Sequence, residues 1–66
     1  MTSEWIVHVG WFDARGFFFR QLLRVPAATE MEARLEAYRK HRDPRAPFTA
    51  YQNAVVIPAQ EAHGQA

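Results

Sequence analysis

The side chains able to carry chemistry are three histidines (His8, His41 and His63), seven carboxylates, eight basic residues and one serine, Ser3, with no cysteine. A metal centre would need ligands that converge. No two histidines stand at i, i+3 or i+4, and no carboxylate completes a ligand set at a recognised spacing. Nucleophilic catalysis needs a hydroxyl or thiol beside a base, and Ser3 sits in the N-terminal stretch, away from any such arrangement. Glu32 and Glu36 are one helical turn apart, the spacing of a paired-carboxylate centre. Acid–base work needs a cleft that shifts a pKa, however, and an exposed helix face beside Lys40 is not one. Gly10, Gly16 and Gly64 form neither a G-x-G-x-x-G nor a Walker pattern. The expectation is a binding protein rather than an enzyme, without catalytic residues, metal or cofactor.

Binding chemistry is better represented. Arg39, Lys40, Arg42 and Arg45 crowd together with only Asp43 against them, and Arg15, Arg20 and Arg24 are interleaved with Phe17, Phe18 and Phe19. Arginine for phosphate and aromatic rings for bases is a nucleic-acid pattern. Against it, arginines at a helix C-terminus answer the helix dipole, and strand arginines keep an outer face soluble. A net charge of +1 also weakens the electrostatic case. Trp, Phe, Tyr and Arg together are the composition of protein interfaces. The expected partner is therefore a protein or nucleoprotein complex, with nucleic acid as the alternative. Trp11, Phe18, Arg20, Arg24, Arg39 and Arg42 are the candidate contact residues.

The elements that must position these residues follow from periodicity. Trp5–Phe12 alternates, with Trp5, Val7, Val9 and Trp11 on one face and Ile6, His8, Gly10 and Phe12 on the other, a strand pattern apolar on both sides. Asp13-Ala14-Arg15-Gly16 carries the Asp and Gly of a type I turn and predicts a hairpin. The return strand, Phe17–Val25, sets Phe17, Phe19, Gln21, Leu23 and Val25 against an amphipathic face of Phe18, Arg20, Leu22 and Arg24, with Pro26 ending it. Thr29-Glu30-Met31-Glu32 fits a capping box and predicts a helix over Glu30–His41. Its apolar stripe is Met31, Leu35 and Tyr38, widened by Ala33 and Ala37. After a loop from Arg42 to Pro47, a looser alternation predicts a third strand over Phe48–Ile57.

The predicted architecture is α+β, in the order β-β-α-β. It is a three-stranded antiparallel sheet of order 2-1-3 with one helix on one face; a 1-2-3 order with a parallel crossover is the alternative. The second sheet face is left uncovered, a candidate for a homodimer contact. Residues 1–58 form a single domain on this pattern, and the polar tail 59–66 is expected to be disordered. The acidic N-terminus lacks the charge and apolar run of a secretory signal, and no apolar run approaches the ~20 residues of a membrane span. With no cysteine, a cytoplasmic location without membrane association is expected.

In format the chain resembles small phage-encoded host-takeover proteins, anti-CRISPR proteins among them. The resemblance rests on its length without cysteine, the Trp5–Val25 hairpin, the alanine- and charge-rich helix after Thr29, and the closing strand Phe48–Ile57. It implies inhibition by occupying a surface of a larger nucleoprotein machine in the host cytoplasm. It carries over no residue-level motif.

Overall fold

The structure, a computed structural model, describes residues 2–59. Asp13 and Gly16 organise the first third of the chain. The Asp13 carboxylate accepts from the amides of Arg15 and Phe17, both at 2.9 Å. The Gly16 amide donates to the Asp13 carbonyl at 3.0 Å, and Gly16 takes the positive φ of 88° that this turn requires. The turn joins β1 (Ser3–Phe12) to β2 (Phe18–Ala27) in an unbroken antiparallel ladder of ten pairs, from Phe12↔Phe18 to Ser3↔Ala27.

A hydrogen bond from the Asp13 amide to the Phe17 carbonyl, 2.9 Å long, fixes the phase of this ladder. Hydrogen-bonded and non-bonded pairs alternate in antiparallel strands, so the bonded partners on β2 are the odd-numbered residues. The backbone groups of Phe18, Arg20, Leu22, Arg24 and Pro26 point away from β1. This corrects the expectation that Pro26 ends the strand. Its missing N–H faces the open edge, where no ladder bond is lost, and β2 runs on to Ala27.

Helix α1 (Glu30–His41) begins where the capping box predicts. Thr29 is extended (φ −138°, ψ 165°), its hydroxyl accepts from the Glu32 amide at 3.2 Å, and the Glu32 carboxylate reaches back to the Ala28 amide at 3.0 Å. The helix lies on the sheet through Ala33 and Ala37, both sealed from solvent. The predicted stripe is unevenly buried: Tyr38 packs against the core, whereas Met31 and Leu35 remain exposed.

The predicted strand Phe48–Ile57 is two elements. Phe48–Gln52 is a short helix, α2, and only Val55–Pro58 is strand, β3. The reason lies in Ala50 and Tyr51, adjacent residues that are both buried. A strand over one layer turns neighbours to opposite faces, and a helical turn brings both inward. Pro47 starts α2 in extended conformation, and Asn53 closes it by donating its amide and its side-chain Nδ2 to the Thr49 carbonyl, each at 3.0 Å.

β3 pairs antiparallel with β1, Ile6↔Ile57 and His8↔Val55, giving one three-stranded sheet of order β2-β1-β3. The fold is α+β with α1 packed on one face of the sheet. The core is narrow. Val7, Val9, Trp11, Val25, Val56 and Tyr51 are joined by alanines from β2, α1, α2 and the loops. Ala59, assigned to the tail from sequence, is buried; the rest of that tail, 60–66, lies outside the described residues.

Candidate docking surface

Because β1 alternates, the face turned away from α1 carries Ile6, His8, Gly10 and Phe12. The register sets Phe18, Arg20, Leu22 and Arg24 of β2 beside them, and Val55 and Ile57 of β3 on the other side. Nothing in the chain covers this face among the described residues. Phe12, Phe18, Leu22 and Val55 each keep more than half of their surface exposed.

The aromatic end of the face is built around a glycine. The Phe18 ring lies over Gly10, so close that a Cβ there would meet its Cζ at 2.8 Å and its Cε1 at 3.1 Å. Phe12 packs beside the same ring at 5.0 Å between centroids. The Phe18 ring thus lies over the strand with the Phe12 ring tilted against it by 55°, and Arg20 stands opposite Gly10. Arg20 has no ion pair among the described residues, while Arg24 donates from Nη2 and Nε to Glu4 at 2.7 and 3.2 Å.

Of the residues singled out from sequence, Phe18, Arg20 and Arg24 come together here. Trp11 does not join them. It is only 5% exposed, on the covered side, stacked on Phe19 at 5.9 Å. The register pairs Trp11 with Phe19 rather than Phe18, and that sends it to the core. Its Nε1–H is buried without a partner among the described residues, in contrast to that of Trp5, which donates to the Ala27 carbonyl at 2.9 Å. Arg39 and Arg42 stand at the end of α1. Arg39 faces Glu36 at 3.9 Å, and Arg42 lies 5.2 Å from the Tyr38 ring centre and donates to its hydroxyl at 2.9 Å. The six residues therefore do not form one surface. Ile6, Val55 and Ile57 belong to the face and were missed as contacts. Their alternation was visible, but only strand pairing brings β3 alongside Phe18 and Leu22.

A second apolar feature lies between the helices. Met31, Leu35, Tyr38, Phe48 and Tyr51 line a groove of about 270 Å³ flanked by Arg34 and Gln52. Tyr38 meets Phe48 and Tyr51 edge-on at 4.8 and 5.6 Å. Beneath it, the Tyr51 hydroxyl donates to Gln21 Oε1 at 2.8 Å and accepts from the Asp43 amide at 2.9 Å. Gln21 Nε2 in turn donates to the His41 carbonyl at 3.2 Å. This network ties the 42–47 loop to β2. In that loop, Arg45 binds both carboxylate oxygens of Asp43, at 3.1 and 2.9 Å, and lowers its pKa from 3.8 to about 2. The same guanidinium lies over Phe19 at 4.9 Å.

No group of three or more His, Asp or Glu residues able to hold a metal occurs among the described residues, and no helix there is long and apolar enough to cross a membrane. No protein-family model matches the chain, and no curated protein and no solved structure matches it either.

Proposed function

We propose that the chain is a non-enzymatic protein-binding module that docks through the uncovered face of its sheet. The observation that carries this reading is the placement of large apolar side chains. Phe12 and Phe18 are paired at one end of the outer face, Leu22 and Val55 flank His8 further along it, and all four are exposed; exposed apolar patches on small proteins mark interaction sites. Aromatic rings with a free arginine beside them are the usual anchors of protein interfaces. In this proposal the rings and Leu22 enter the partner's surface, and Arg20 meets an acid there. A protein of this format would act as an inhibitor by covering a surface that a larger host complex needs, in the cytoplasm.

The second reading, single-stranded nucleic acid stacked on Phe12 and Phe18, has one favouring observation, the open pair of rings next to Arg20. Its weakness is charge, because Arg24 is already committed to Glu4.

Photo-crosslinking separates the readings. A crosslinker is placed at Phe12 or Val55, with Glu30 on the helix side as control, and exposed to host lysate. The expected result is a discrete protein adduct from the two sheet positions, lost in Arg20→Glu. Equal crosslinking from all three positions removes the proposal. Adducts abolished by nuclease treatment would transfer it to nucleic acid.

A further inference from the structure

The sheet has one long open edge. Phe18, Arg20, Leu22 and Arg24 direct their N–H and C=O groups away from β1, and no backbone hydrogen bond within the described residues reaches them. Natural edge strands are blunted by shortness, bulges, charged side chains, proline or a covering segment; on β2 the charges are Arg20 and Arg24, whose side chains stand on the outer face, and Pro26 removes only the last outward N–H. β2 has ten residues in continuous register.

The geometry points to a second copy of this chain as the occupant of that edge. β2 pairs antiparallel with β2 of the second copy about a two-fold axis at Gln21, doubling the sheet. The register follows by elimination. Centring on Gln21 sets Phe18 against Arg24 and Arg20 against Leu22 of the second copy. All four outward-facing residues that have an N–H are used, with about eight hydrogen bonds, two for each bonded pair. An arginine lies beside an aromatic ring, and no like charges stand opposite. On the inner face, partly buried Phe19 meets partly buried Leu23. Centring on Leu22 instead opposes Arg20 to Arg24 and gives Phe18 a proline partner without an N–H. Centring on Arg20 opposes that residue to itself. Like charges directly opposite are destabilising, and larger shifts leave outward-facing residues unpaired.

An isologous pair needs a surface that complements itself, and this edge does so in one register. The same axis runs the two α1 helices antiparallel. The acidic first half of each (Glu30, Glu32) is then directed along the basic last turn of the other (Arg39, Lys40). Need points the same way. A 66-residue chain without cysteine, whose core is largely alanine and valine, falls in the size range where oligomerisation commonly supplements the core. The proposal does not rest on the docking reading, although it sets Phe18, Arg20 and Leu22 of that face beside residues of the second copy; self-association is read separately from partner capture.

Sedimentation equilibrium with two variants tests it. The wild type is expected at twice its 7.6 kDa chain mass. Leu22→Pro removes an outward N–H without touching the β1 ladder, as Pro26 does naturally, and should give a monomer with unchanged far-UV circular dichroism. Gln21→Cys should oxidise to a disulfide-linked dimer. The paired residues form a non-bonded pair with Cα atoms about 4.5 Å apart, within disulfide range. Gln21→Ser controls for the lost Tyr51 contact. A wild type that stays monomeric at millimolar concentration overturns the proposal, as does a dimer that survives Leu22→Pro. Should Leu22→Pro not fold, Leu22→Arg decides: it opposes Arg20 of the second copy, and an undiminished dimer overturns the pairing.

Discussion

The two faces of one sheet are made from the same strands and the same apolar residue types, yet they are finished in opposite ways. On the covered face the strands offer valines, Trp5, Trp11, Phe19 and Leu23, and α1 answers with Ala33 and Ala37. Small residues let the helix come close, so the layer is sealed with little bulk. The open face also carries large side chains, Phe12, Phe18, Leu22 and Val55, and no layer among the described residues answers them. Burial here follows complementarity between layers rather than side-chain size.

That contrast can be broken most severely at the helix contact. Ala37→Leu forces a larger side chain between closely packed layers and should cost about 1–3 kcal/mol or more. Leu22→Ser on the open face should stay within about 0.5 kcal/mol. Paired urea unfolding curves measure both. Equal losses would mean that the open face is as much a part of the core as the covered one.

Tyr51→Phe sharpens the comparison from within the covered layer. It keeps the ring but leaves Gln21 Oε1 and the Asp43 amide without their partner. The expected loss is about 1–2 kcal/mol, with faster hydrogen exchange at the Asp43 amide. Unchanged exchange there would detach the 42–47 loop from the core.

The smallest effect belongs to the Asp43–Arg45 pair at the edge of that layer. The folded pKa, about 2, lies below the ordinary 3.8. The contribution to stability is therefore complete above 3.8 and is lost as pH falls toward about 2. In Arg45→Ala the Asp43 carboxyl midpoint, followed by NMR, should move up toward 3.8, and thermal stability should fall less over that interval. A midpoint that does not move would remove Arg45 as the cause.

Much of this was legible in the residues. Asp13 and Gly16 announce the hairpin, Thr29 with Glu32 announces the helix start, and the continuous apolar pattern of β1 places it at the centre of the sheet. α2 was not legible. Over the few residues from Phe48 to Gln52, an alternation of apolar and polar fits a strand and a helical turn equally, and only the joint burial of Ala50 and Tyr51 decides. The site was half legible. The arginines of β2 reveal its outer face, and that places Phe18, Arg20 and Arg24. Trp11 was assigned by its proximity to them in sequence, when the hairpin register already put it with Phe19. The contribution of β3 needs a long-range pairing that no local pattern encodes.

Pro58 has a consequence for stoichiometry. Along β3 the residues whose backbone points away from β1 are Val56 and Pro58, and Pro58 has no N–H to give. The β3 edge is four residues long and keeps only the Val56 N–H as an outward donor, against four on β2. A building block with two live edges polymerises; one with a single live edge couples once and stops. If β2 pairs as proposed, the sheet is close to a monofunctional unit in the polymer chemist's sense, with one long edge to couple and one short edge that offers little to propagate.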